Sequence, residues 1–176
     1  MKANDFVTNA TRLIGTPYST IDCIGVIRIS AGIGCQGTNW LWRSINNSPK
    51  YRYLIERHDT PLPKTDCMNG ILVFRINWSQ KPKGYDDTPN CYHVGIITAE
   101  KTVIHSTEKL GVHEEIYDDK AWNAYGFLKQ IDYSGIQFKV PETYESDAGA
   151  VNLSDKEKLN EMYMMISALY KKFIPD

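Results

Sequence analysis

Apolar residues recur at helical spacing near the start of the chain. Phe6, Ala10, Leu13 and Ile14 predict a helix over residues 3–14. Gly15-Thr16-Pro17-Tyr18 stops it, with Gly as C-cap and Pro just beyond. Residues 23–33 predict a second helix, apolar nearly all round through Cys23, Ile24, Val26, Ile27 and Ile29. Asp22 stands at its N-cap position, and Gly32 and Gly34 end it. A helix apolar on every side belongs at the centre of a core. Between 36 and 69, Trp40, Trp42, Tyr51 and Tyr53 mix with Asn, Ser and Pro, which predicts a short helix within 38–45 and then irregular chain. Ile71 to Ile76 predicts a strand after the turn residues Asn69-Gly70, and residues 79–90 predict a loop. Cys91–Thr98 and Thr102–Thr107 predict a hairpin joined by Ala99-Glu100-Lys101. Further short strands are expected near 112–117 and 125–132.

Residues 141–152 turn polar and Gly/Pro/Ser-containing. Ser154 then caps a final helix over 155–173, with Glu157 at the capping-box position and a stripe through Leu159, Met162, Tyr163, Ile166, Leu169 or Tyr170, and Phe173. The order is helices first, then an antiparallel sheet, then a late helix. That is α+β, not an alternating βαβ chain. The expected organisation is one domain over residues 1–140, with 141–176 as a linker and a helix packed back on it; the Met-rich face of that helix is an alternative docking surface.

Composition narrows the function classes. An apolar fraction of 42% and a charged fraction of 23% over 176 residues exclude whole-chain disorder, collagen and coiled coil. A net charge of −1 speaks against a nucleic-acid binder working through bulk positive charge. No run reaches the length of a membrane span. The first residues lack the unbroken apolar core of a secretory signal. The expectation is a cytoplasmic chain, or one exported by a non-standard route or phage-associated. The four cysteines, at 23, 35, 67 and 91, include no CxxC pair, so reduced thiols are expected. Oligomeric state is left open.

Three residues bring chemistry together. Cys23 sits at a predicted helix start, where the dipole and free backbone N–H groups favour a thiolate. His93 and His105 lie on consecutive strands, nearly opposite one another if the turn spans 99–101. Together they supply a nucleophile, a base and an orienting group. Taken singly, each also reads as a packing or structural residue. His58 and His113 read as surface residues. Cys91 would share the strand face of His93, as a packing residue or a lining one. A zinc site from Cys23, Cys91, His93 and His105 is conceivable by residue type but fits no common spacing. No metal and no cofactor are expected. Trp40 and Trp42, with Tyr51 and Tyr53, read either as a wall of a substrate groove or as packing over the helices.

The ordered motifs resemble a known family. Gly15-Thr16-Pro17-Tyr18 followed by Asp22-Cys23-Ile24-Gly25 looks like the nucleophile region of the NlpC-type cell-wall cysteine peptidases, with their G-x-P-Y and D-C-S-G. Gly70–Phe74 resembles their G-D-x-V-x-F strand, and His93-Val94-Gly95-Ile96 their H-V-G-I strand. His105 lies twelve positions after His93, as the third catalytic residue does in that family. The resemblance spans residues 15–107. It implies a papain-like fold and hydrolysis of a peptidoglycan stem peptide, most often at the D-γ-glutamyl–diamino acid bond. It implies Cys23 as nucleophile, His93 as base and His105 as the residue orienting it. Tyr18 matches a tyrosine that shapes the site, and Asp22 an acidic residue that helps recognise the free amine of the stem peptide. Ile24 replaces the family Ser, which in relatives contributes to the pocket for the substrate N-terminus, and Ile71 replaces an Asp in the strand motif. An amidase or transacylase on another substrate, and a non-catalytic wall-binding or phage-tail module, stand as alternatives.

Overall fold

The computed structural model describes residues 1–47 and 50–134. The polar stretch at 141–152 and the helix expected over 155–173, and hence its packing on the domain, lie outside those residues.

Three helices precede most of the sheet: α1 (Ala3–Thr11), α2 (Cys23–Ala31) and α3 (Thr38–Arg43), the last running into a 3₁₀ turn at Ser44–Asn46. Asp22 caps α2 by accepting a hydrogen bond from the Gly25 amide at 2.7 Å. Gly32 closes α2 with φ of 66°, a left-handed conformation that costs glycine little. Among the described residues six strands follow: β1 (Leu54–His58), β2 (Leu72–Asn77), β3 (Asn90–Ile97), β4 (Thr102–Thr107), β5 (Gly111–Ile116) and β6 (Ala124–Leu128). They form one sheet in the order β1-β6-β2-β3-β4-β5, with every neighbouring pair antiparallel. The α+β class expected from the chain holds. β1 was not expected. It is an edge strand whose pattern is buried only at Leu54, so it carries no alternation to betray it.

The pleat sorts the sheet into two faces. Leu72, Phe74, Val94, Ile96 and Ile104 pack with Phe6, Ile24, Val26 and Ile27 of the helices. Val73, Ile97 and Val103 point the other way, into a smaller cluster with Leu62, Met68, Tyr117 and Trp122. Full burial of each aliphatic or aromatic side chain contributes about 1.5–3 kcal/mol, so the larger helix-side cluster carries most of the stability.

Two details of register set the site. The β3–β4 ladder pairs Ile96 with Ile104 and Ile97 with Val103. Continued, that register sets His105 across from Gly95, so His93 and His105 are diagonal neighbours rather than opposite partners. Arg75 of β2 pairs with His93 of β3 but Ile76 with Cys91, which leaves Tyr92 as the extra residue of a bulge in β3. The bulge reverses the parity of the strand. Cys91 consequently joins Val94 and Ile96 in the helix-side core, and does not share the face of His93 as strict alternation had implied.

Candidate active site

The segment leading into α2 is strapped to the ends of β4 and β5. The Gly15 amide donates to the Val112 carbonyl and the Val112 amide to the Thr16 carbonyl, both at 2.8 Å. The buried Ser106 hydroxyl donates to the Ile21 carbonyl at 2.6 Å. Gly111 has φ of 66°, and a Cβ there would run into the Thr16 carbonyl oxygen. These contacts deliver Cys23 to the end of the sheet where β3 and β4 have parted. The thiol there is close enough to the Val94 amide for that N–H to favour its ionised form, as do the amides of Ile24 and of Cys23 itself.

Burial outweighs these donors. Cys23 is 6% exposed. Burial first, and the neighbouring Asp22 carboxylate second, push its thiol up to about 11. This corrects the expectation of a helix-start thiolate: desolvation disfavours the anion by more than the amides favour it. At neutral pH the group is S–H.

His93 Nε2 lies 2.8 Å from His105 Nδ1. That bond occupies one nitrogen of His93 and leaves Nδ1 as the nitrogen able to exchange a proton with a neighbour. Trp122 holds both rings. Its indole stacks on His93, with centroids 5.4 Å apart and planes 27° apart, and meets His105 edge-on at 5.3 Å. Gly95 makes the room: a Cβ there would collide with Val103 and come within 3.1 Å of Trp122 and 3.3 Å of His105. Burial draws His93 down to about 4, helped by the charges of Arg75 and His113. Burial likewise draws His105 down to about 3, with His93, His113 and Arg75 adding to it. Both imidazoles are neutral at pH 7.

Beyond His105 the network continues into residues the sequence reading passed over. His105 Nε2 faces Glu115 Oε1 at 3.1 Å, off the direction that a hydrogen bond needs. The same oxygen accepts from Arg75 Nη2 at 2.8 Å. The Arg75 guanidinium in turn lies 4.3 Å over the Trp122 ring. A signal for both was present: Arg75 is the one charge in the apolar run Ile71–Ile76, and Glu115 alternates with His113 along β5.

The other expected residues divide. Tyr18 is half-buried, and its hydroxyl is held protonated by burial first, then by Cys23, Asp22 and Glu108. It lines a cleft of about 510 Å³ with Pro17, Ser19, Glu108 and Leu110. Asp22 is exposed, with one oxygen committed to the helix cap. Ile24 is 4% exposed and belongs to the helix-side core. Its side chain therefore does not line a substrate pocket. Trp42 is fully buried, edge-on to Phe74 at 5.0 Å with the Arg57 guanidinium 4.5 Å from its ring, so it is a core residue and not a groove wall. Trp40 is half-buried and packs on that core beside Tyr53. The zinc set Cys23, Cys91, His93 and His105 is not assembled, because the bulge turns Cys91 into the opposite face.

No family model matches the chain, and no curated protein matches it. Among solved structures it is similar to the NlpC/p60 domain of the peptidoglycan hydrolase SagA, at 22% identity and a TM-score of 0.46, over 72% of this chain and 98% of that one.

Proposed function

We propose that the protein is a cysteine peptidase that hydrolyses an amide bond in peptidoglycan stem peptides through a Cys23 thioester. The observation that carries this is the His93–His105 bond of 2.8 Å, next to the strand position whose amide meets the thiol. The ordered motifs from Gly15 to His105 supply the substrate class.

The pair starts neutral, so attack and proton transfer occur together. The Cys23 sulfur attacks the amide carbonyl carbon while its proton passes to His93 Nδ1. The Nε2–H of His93, donated to His105 Nδ1, stabilises the imidazolium that forms. The Cys23 amide at the start of α2 faces the developing oxyanion. His93 then gives its proton to the leaving amine, which departs as the tetrahedral intermediate collapses to the thioester. Water attacks the thioester with His93 as base, the acid leaves, and the proton returns to sulfur. Preferred cleavage is at the D-γ-glutamyl–diamino acid bond, with Tyr18 and Asp22 beside the substrate. No cofactor takes part.

The burial of Ile24 favours a second reading of substrate but not of chemistry. An apolar side chain in the core offers no hydroxyl to a substrate amine, which suits an amidase or transacylase acting on another acyl donor.

Mass spectrometry of tri- and tetrapeptide stems with a free L-alanine amine, and of intact sacculi, tests both. Release of L-alanyl-D-glutamate by wild type and not by Cys23→Ala is the expected result. Cleavage of sacculi alone moves the specificity toward the second reading. Absence of any product, with intact binding to sacculi, replaces the enzyme with a wall-binding module.

A further inference from the structure

We infer that His105, His113 and Glu115 form a Zn²⁺ site whose occupation shifts the protons of the two-histidine pair and switches His93 off as a base. One ligand atom from each of the three residues lies within 4.8 Å of the others. His105 is 1% exposed, and its Nε2 is buried with no hydrogen-bond partner, 3.1 Å from the Glu115 carboxylate. His113 is prepared for a metal in its own right. Its Nδ1 donates to the Gly111 carbonyl at 2.9 Å, which leaves the Nε2 lone pair free. Arg75 occupies Glu115 Oε1, so Oε2, 4.0 Å from His113 Nε2, is the oxygen available to an ion. Two imidazoles and a carboxylate with a fourth position for water suit Zn²⁺. Metal–ligand bonds of about 2.0–2.2 Å need the cluster to contract. His113 and Glu115 are partly exposed, so they have room to close on the fixed His105 and give an ion a way in. The Arg75 guanidinium weakens the site without blocking it.

The consequence for the pair follows from proton positions. A metal on His105 Nε2 needs a lone pair there, so the single proton of that ring sits on Nδ1 and is donated to His93 Nε2. His93 then carries its own proton on Nδ1, the nitrogen that otherwise accepts from the thiol. Each ring keeps one proton and none is released. This consequence rests on the role given to His93 above, whereas the binding of the ion does not.

The test is Zn²⁺ titration of the full chain by calorimetry, with two-bond ¹H–¹⁵N NMR of the imidazoles. His113→Ala and His113→Gln, the second retaining volume and a donor for the Gly111 carbonyl, are expected to weaken Zn²⁺ by about tenfold or more. Cys23→Ala is expected to leave it unchanged. In wild type the His93 Nδ1 resonance is expected to move from the unprotonated to the protonated position as the site fills. Binding that survives both His113 variants, binding lost in Cys23→Ala, or an unmoved His93 signal at saturation would each overturn the proposal. Zn²⁺ binding and the resonance shift in a chain that cleaves no stem peptide would uphold the site while removing the peptidase reading.

Discussion

The two faces of the sheet use the same strands for opposite purposes. Toward the helices, β2, β3 and β4 present Leu72, Phe74, Val94, Ile96 and Ile104, all buried and apolar. On the other face, beside the smaller apolar cluster of Val73, Ile97 and Val103, the same three strands present Arg75, His93 and His105, braced by Trp122. The first face stabilises through area and tolerates exchanges that conserve volume. The second depends on direction: which nitrogen faces which partner, and where a glycine leaves space. Cys23 packs with the first face, where its thiol lies near the Val94 amide of β3.

Substitutions on the two faces should therefore separate stability from turnover. The largest effect is expected for Cys23→Ala and His93→Ala, each lowering stem-peptide turnover by about 10⁴-fold or more among the molecules that remain folded. A loss below tenfold in either would remove that residue from the chemistry.

Next comes the pH response of the thiol. Its ionisation lies near 11, above the usual range, so the thiolate fraction falls as pH drops below that value. Iodoacetamide labelling of Cys23 should rise about tenfold per pH unit from 7 to 10, because the thiolate is the reacting form. A plateau by pH 8 would reveal a resident thiolate and contradict the neutral pair.

Gly95→Ala should cost about 1–3 kcal/mol in denaturant unfolding, because the new methyl meets Val103, Trp122 and His105 together. It should also reduce turnover among the molecules that remain folded. Glu115→Gln keeps shape but removes the charge that pairs with Arg75 and faces His105, and is expected to lower turnover by about tenfold, the equivalent of roughly 1.4 kcal/mol in the barrier. Smallest is Ile27→Val on the helix face: about 0.5–1.5 kcal/mol of stability and no change in turnover. Equal losses of turnover in Ile27→Val and Glu115→Gln would erase the distinction between the faces.

Much of the helix face was legible in the residues. The extent of α2, its Asp22 cap and the Gly32 stop agree with the structure, because cap chemistry and periodicity are local, but the apolar ring does not close: Ile29 is exposed, so α2 lies against the sheet with one side to solvent. So do the strands at Leu72–Asn77 and Asn90–Ile97 and the hairpin to β4. Local patterns could not reveal the bulge at Tyr92, which depends on the partner strand and decides where Cys91 points. β1 pairs only at its edge with β6, a long-range event that an unpatterned Leu-Ile-Glu-Arg-His does not announce. The protonated state of the Cys23 thiol has a related cause: a helix start favours an anion, but the degree of desolvation belongs to the tertiary structure. The aromatic residues 40 and 42 were ambiguous because one-turn helices bury one side chain and half-expose another.

Acid-quenched mass mapping of the chain with stem peptide in excess tests the central claim most directly. An acyl adduct is expected on the Cys23 peptide, adding the mass of the released acid less one water, absent from Cys23→Ala and vanishing at high pH with hydroxylamine. Stem-peptide cleavage that persists in Cys23→Ala, with no adduct on any cysteine, would contradict it.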